Sequence, residues 1–201
     1  MKSSFNNIDW DKVSYVGFDM DGTLYDEYEF ISEVYLEISK LLNPQALSFM
    51  KKRWLDKGSS YPYIFSEAFD LYNIKCEKQS FIDEALNIYR NFKPKIKLNI
   101  RVKEILKYCK NNYEIFLVTD GNLTLQKNKY MSLGLDRFFN DKNVFFTGIN
   151  TKIFSKPSIE SLNVLSIDPN KSVFFGDRDC DYQFSINAKM QFQKVKIMSI
   201  L

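Results

Sequence analysis

The chain contains no histidine among its 201 residues. That absence removes histidine-based triads, histidine general bases and histidine-ligated zinc. Acid–base chemistry falls instead to Asp, Glu, Lys, Tyr or Cys. Cysteine is scarce: Cys76, Cys109 and Cys180 are far apart, odd in number and form no CxxC pair. This argues against a zinc or redox motif and for a reducing compartment. Long apolar runs are missing as well. The N-terminal MKSSFNNIDWDK lacks the apolar stretch of a secretory leader, and no uncharged run is long enough to span a bilayer. A cytoplasmic protein without a membrane partner is expected. A basic stripe is also lacking: the net charge of +3 is thinly spread. The densest patch, KKRW at 51–54, reads as a solvated helix face, so no nucleic-acid partner is expected.

What is present is ordinary globular composition, 45% hydrophobic and 26% charged, with 18 Phe and 12 Tyr to fill a dense interior. The length suits one core, or a core carrying a smaller insert. VSYVGF (13–18) reads as a buried strand. Apolar positions from Phe30 to Leu42 then recur at helical spacing. Asn43-Pro44 reads as an N-cap and first helical residue, opening a helix to about Leu55 that Lys57-Gly58-Ser59-Ser60 breaks. Two further helical patterns cover Tyr63–Tyr72 and Phe81–Phe92. Residues 26–93 are therefore expected to form an all-helical insert, and 1–25 with 94–201 the core.

Beyond residue 93 the pattern alternates. Helices are expected at 100–110, 123–133 and 158–165, and after GDRDCD as far as Met190. Strands are expected at YEIFLVTDGN (113–122), NVFFTG (143–148), SVFFGDRDCD (172–181) and FQKVKIM (192–198). Such alternation predicts an α/β fold, a Rossmann-like parallel sheet with helices on both faces. Ligands of such sheets bind at the carboxyl ends of the strands. Three of these ends carry polar signatures, DMDGT, TDGN and GDRDCD, which are expected to converge.

Asp19 and Asp21 lie two apart, so on a strand their carboxylates face one way. Two like charges that close need a cation, a shared proton or water. An Asp-Gly pair alone fits a surface turn better. Asp177 and Asp181, four apart at another strand end, change the balance. Together the four carboxylates would make an oxygen-only site suited to Mg²⁺. Thr119 offers a hydroxyl, Gly121 and Asn122 offer backbone N–H groups at a helix start, and Lys156 before Pro157 offers a cation, all suited to a phosphate.

DxDGT at 19–23, Thr-Asp-Gly after the next core strand, a lysine before the following one and GDxxxD at 176–181 resemble the four ordered motifs of the haloacid dehalogenase-like hydrolase superfamily. The helical insert resembles this superfamily's C1-type cap. The resemblance implies a Mg²⁺-dependent phosphatase of a small phosphorylated metabolite. Asp19 would be the nucleophile forming an aspartyl-phosphate, and Asp21 the general acid–base, its backbone carbonyl offered to magnesium. Asp177 and Asp181 would complete the metal site. Thr119 and Lys156 would bind phosphate oxygens, Lys156 also steadying the nucleophile. Dehalogenases of this superfamily lack the second aspartate, so Asp21 favours phosphoryl chemistry. A phosphomutase of the β-phosphoglucomutase type shares every motif, and a non-catalytic protein on the same fold is the remaining alternative. In capped members the insert contacts the leaving group, and Lys51, Lys52, Arg53, Trp54, Tyr61 and Tyr63 are its candidates here. Lys189, in NAKM, stands where relatives usually carry glycine.

Overall fold

In the computed structural model, which describes residues 5, 7–72 and 77–196, the alternating pattern becomes one five-stranded parallel sheet. Its strands are β1 (Tyr15–Phe18), β2 (Glu114–Thr119), β3 (Val144–Phe146), β4 (Ser172–Gly176) and β5 (Gln191–Lys194), in the order β3-β2-β1-β4-β5. β1 is central, pairing Phe18 with Leu117 on one side and with Phe175 on the other. A central parallel strand is covered on both faces, which is why the sequences of β1, β2 and β4 are almost continuously apolar. Val16, Phe18, Phe116, Leu117, Val118, Val173, Phe174 and Phe175 are all fully buried. At roughly 1.5–3 kcal/mol for each large apolar side chain, this layer is a main source of the core's stability.

The strands are linked by helices: α5 (Ile100–Asn112), α6 (Leu123–Ser132), α7 (Thr151–Phe154), α8 (Glu160–Leu165) and α9 (Asp179–Ala188). Asn99 caps α5 and Asn122 caps α6, each side chain accepting a backbone N–H of the first turn. The short α7 is not signalled by the sequence, because four residues show no helical period. β3 is shorter than expected, Thr147–Ile149 turning into a 3-10 segment after Phe146.

The helical insert contains most of α1 (Glu27–Ser39), with α2 (Gln45–Lys57), α3 (Ile64–Tyr72) and α4 (Lys78–Asn91). By its contacts the chain forms two compact units, Tyr28–Lys95 and the described residues before and after it. The insert has its own core, with Phe30, Ile31, Val34, Ile38, Met50, Ala68 and Ala85 fully buried and Phe69 set against Phe81 at 5.5 Å between ring centres. Asn43 accepts the Gln45 N–H, and Pro44 is already helical in backbone angles, so α2 starts as its sequence predicts. Cys76 and the end of FQKVKIM beyond Lys196 lie outside the described residues. Among the described residues, no helix is long and apolar enough to cross a membrane.

Candidate active site

The carboxyl ends of β1, β2 and β4 lie side by side because those strands are neighbours in register. Asp19 follows β1 directly, and its backbone N–H donates to the Phe175 carbonyl at 2.9 Å. Its carboxylate is almost fully buried. Asp19 Oδ1 accepts from Lys156 Nζ at 2.6 Å, and Asp181 Oδ1 accepts from the same ammonium at 2.5 Å. The third Lys156 contact is the Val118 carbonyl, at 3.3 Å. Lys156 thus sits between two buried carboxylates and neutralises part of their repulsion.

Asp181, fully buried, has a second role. Its Oδ2 accepts the Arg178 N–H at 3.0 Å, closing the first turn of α9. Asp179 is exposed beside Lys194 and behaves as an ordinary acidic residue at a helix start. Asp177 joins the cluster: oxygen atoms of Asp19, Asp177 and Asp181 all lie within 4.8 Å of one another. Asp177 Oδ1 is buried and has no hydrogen-bond partner. Gly22 allows this approach, since its φ is +76° and a Cβ there would meet Asp177 Oδ2 at 2.5 Å. A buried carboxylate oxygen without a donor, in an all-oxygen trio, fits a hard divalent cation such as Mg²⁺.

Asp21 departs from the expected four-carboxylate convergence. It is buried like Asp19, but β1 ends at Phe18, so strand alternation does not govern where its side chain goes. Its carboxylate has donors of its own: Lys129 Nζ at 2.7 Å and the Tyr25 hydroxyl on Oδ1, and Gln126 Nε2 at 2.6 Å on Oδ2. The metal-suited carboxylate cluster is accordingly a trio, with Asp21 beyond it on a cationic cradle. The repulsion within the DxD pair is answered by two buried lysines, one for each aspartate.

The expected phosphate-binding residues gather at the end of β2. Thr119 is fully buried, and its Oγ1 lies 2.7 Å from Gln126 Nε2. Gly121 and Asn122 are exposed at the start of α6. Asp120 accepts from the Thr147 hydroxyl at 2.8 Å and from the backbone N–H of Lys156 at 3.2 Å. It is therefore the residue that pins the loop carrying Lys156.

Gln126, Lys129, Asp120, Tyr25 and the pair Arg178–Glu27 are the site residues that sequence reasoning missed. Gln126 and Lys129 left one trace: they are three apart on α6, hence on one face, together with the apolar Leu125 and Tyr130 that the helix buries. Arg178 donates to Glu27 at 2.8 Å.

Electrostatics follow from this wiring. Burial pushes the Asp19 carboxyl well above its ordinary value; Lys156 opposes the shift, and the charges of Asp181 and Asp21 add to it. Burial also acts to raise Asp21, but the charge and hydrogen bond of Lys129, with the hydrogen bonds of Tyr25 and Gln126, hold it below its ordinary value. Burial acts to lower Lys156, yet Asp19, Asp181 and Asp120 raise it, so the ammonium stays charged. Burial raises Asp177 against the opposing charge of Arg178. Glu27 is pushed up to about 7, by burial first and by Asp21 next. The two aspartates of the DxD pair are therefore held in opposite senses.

A model of haloacid dehalogenase-like hydrolases matches residues 16–195. No curated protein matches the chain by sequence. Among solved structures, a HAD-superfamily hydrolase of subfamily IA, variant 1, from Geobacter sulfurreducens has a TM-score of 0.68 at 19% identity, over 93% of this chain and 89% of that one. A Thermotoga maritima protein assigned as a beta-phosphoglucomutase has a TM-score of 0.67 at 22% identity, over 90% and 85%. The Bacillus subtilis protein YfnB, assigned as a HAD hydrolase and solved with magnesium bound, has a TM-score of 0.61 at 15% identity, over 90% and 87%. At these identities the similarity is one of fold.

Proposed function

The chain belongs to the haloacid dehalogenase-like hydrolase family, and from that premise we propose that it is a Mg²⁺-dependent phosphatase of a small phosphorylated metabolite. The observation that carries this reading is the buried second aspartate, Asp21, held by its own donors beside the trio of Asp19, Asp177 and Asp181. A reaction that displaces halide by a carboxylate needs no acid for the leaving group, because halide departs as an anion. Phosphate-ester hydrolysis needs one, because a proton must reach the leaving alcohol and another must leave the attacking water.

Asp19 attacks phosphorus, forming an acyl-phosphate as the bond to the ester oxygen breaks. Asp21, a carboxylate at rest among its donors, takes the proton that a phosphomonoester monoanion carries and passes it to that oxygen. Asp21 as the carboxylate then takes a proton from a water that attacks the same phosphorus, freeing phosphate and restoring Asp19. Lys156 steadies Asp19 and compensates charge on the phosphoryl oxygens. Thr119 donates its hydroxyl hydrogen, and the backbone N–H groups of Gly121 and Asn122 complete the anion site. Asp19, Asp177 and Asp181, with the Asp21 carbonyl, would hold Mg²⁺, which supplies charge neutralisation to the transferring group.

Substrates in this class include sugar phosphates, phosphoglycolate and nucleoside monophosphates, with no nucleic-acid polymer or membrane as partner. A panel of these esters with Mg²⁺ tests the reading. Release of inorganic phosphate that is abolished by a chelator and restored by Mg²⁺ is expected. Transfer of the phosphoryl group to a sugar, with no net phosphate release, would replace it with a phosphomutase. Silence across the panel would leave a non-catalytic binding protein.

A further inference from the structure

Gln126 is 2% exposed, and its amide nitrogen lies 2.6 Å from Asp21 Oδ2 and 2.7 Å from Thr119 Oγ1. The orientation of this amide is determined by its partners. A side-chain amide reads the same with oxygen and nitrogen exchanged unless a neighbour can play only one role. Asp21 is that neighbour: as a carboxylate it only accepts, so the nitrogen must face it. The same nitrogen carries a second hydrogen, and Thr119 Oγ1 must then be an acceptor toward it. A hydroxyl that accepts from a fixed donor has its own single hydrogen left for another acceptor.

We propose that Gln126 is a positioning residue, tying the Asp21 carboxylate to the Thr119 hydroxyl and turning that hydroxyl into a preset donor for a substrate phosphoryl oxygen. The inference rests on the phosphatase reading of the site, and it adds a residue outside the four motifs. Two neighbours support the arrangement. Lys129, one helical step further on the same face of α6, occupies the other Asp21 oxygen, so Asp21 cannot turn from Gln126 without leaving a buried ammonium. Gly121 has φ of +130°, and a Cβ there would come within 3.2 Å of Gln126 Cγ and Cδ. Glycine at 121 therefore serves the side chain that lies against it as well as the turn.

A preset donor differs from a free one in how much order must be imposed when the phosphate arrives. Without Gln126 the Thr119 hydroxyl has no donor fixing it, and its hydrogen takes no set direction. Phosphate affinity then falls while the fold persists.

The test uses the whole chain with Mg²⁺, para-nitrophenyl phosphate as substrate and inorganic phosphate as competitive inhibitor, with calorimetric phosphate binding in parallel. Gln126→Met is expected to weaken phosphate binding about 5- to 10-fold, the range of one lost hydrogen bond. KM should rise by a similar factor. Thr119→Val should weaken binding at least as much, and combining the two should cost nothing beyond Thr119→Val alone. Gln126→Glu, which keeps the shape but faces Asp21 with an acceptor, should be worse than Gln126→Met. It also stands in if Gln126→Met does not fold. Unchanged phosphate affinity in a folded Gln126 variant, or full additivity with Thr119→Val, would overturn the inference. If the wild type turns over no phosphomonoester, the proposed function falls, yet the calorimetric cycle between Gln126 and Thr119 still decides this point.

Discussion

A lysine with 2% of its side chain exposed is costly to bury, because its charge must leave water. Lys129 is held because Asp21 lies 2.7 Å away, and each ion makes the burial of the other tolerable. The same holds for Lys156 between Asp19 and Asp181. Removing one partner of such a pair leaves an uncompensated charge and costs about 3–5 kcal/mol. Lys129→Met is therefore expected to lower unfolding stability by about 3 kcal/mol in denaturant melts. Most of that loss should be recovered in Lys129→Met with Asp21→Asn, where no lone charge remains. Equal stability of wild type and Lys129→Met would show that the pair contributes nothing to the fold. At this scale the sequence was only partly legible. The carboxylates could be read because acidic residues at the ends of apolar strands are conspicuous. Of their lysines, Lys156 was legible from its place between the acidic strand ends, but Lys129 was not, since a lysine on a helix is ordinarily solvated and its shared face with Leu125 and Tyr130 is only a weak mark.

Among the elements, the strands and longer helices follow their apolar periods, and the departures have local causes. β1 stops at Phe18, so the two-residue alternation expected for Asp19 and Asp21 ends where it was to begin. This is why Asp21 leaves the carboxylate trio. The end of α9 shows a different tension. Lys189 adopts φ of 59°, a left-handed conformation closing the helix, where an L side chain crowds its own carbonyl. Its N–H donates to the Ile186 carbonyl in the usual way of a helix end. The family resemblance marks this position as one where glycine is usual, and the backbone explains why. Lys189→Gly should raise stability by about 0.5–1 kcal/mol, seen as a higher melting temperature with unchanged turnover. A lower melting temperature would mean that the exposed lysine makes a contact worth more than the strain.

Across the whole molecule, the parallel sheet brings together residues far apart in the chain. Asp19, Thr119, Lys156 and Asp177 meet because β2, β1 and β4 are adjacent in the order β3-β2-β1-β4-β5, not because of any local signal. That convergence was legible, since alternating strands and helices dictate a parallel sheet whose strand ends share one edge. The wiring within it was not, because hydrogen-bond partners depend on rotamers that no spacing specifies. The central claim concerns the outcome of this convergence, that Asp19 takes the phosphoryl group while Asp21 moves protons. Rapid acid quench of the enzyme during turnover of a phosphomonoester, followed by mass spectrometry of its peptides, tests it most directly. A phosphoryl adduct on Asp19 is expected, absent from Asp19→Asn together with all turnover. Turnover that persists in Asp19→Asn, or an adduct on another residue, would contradict it.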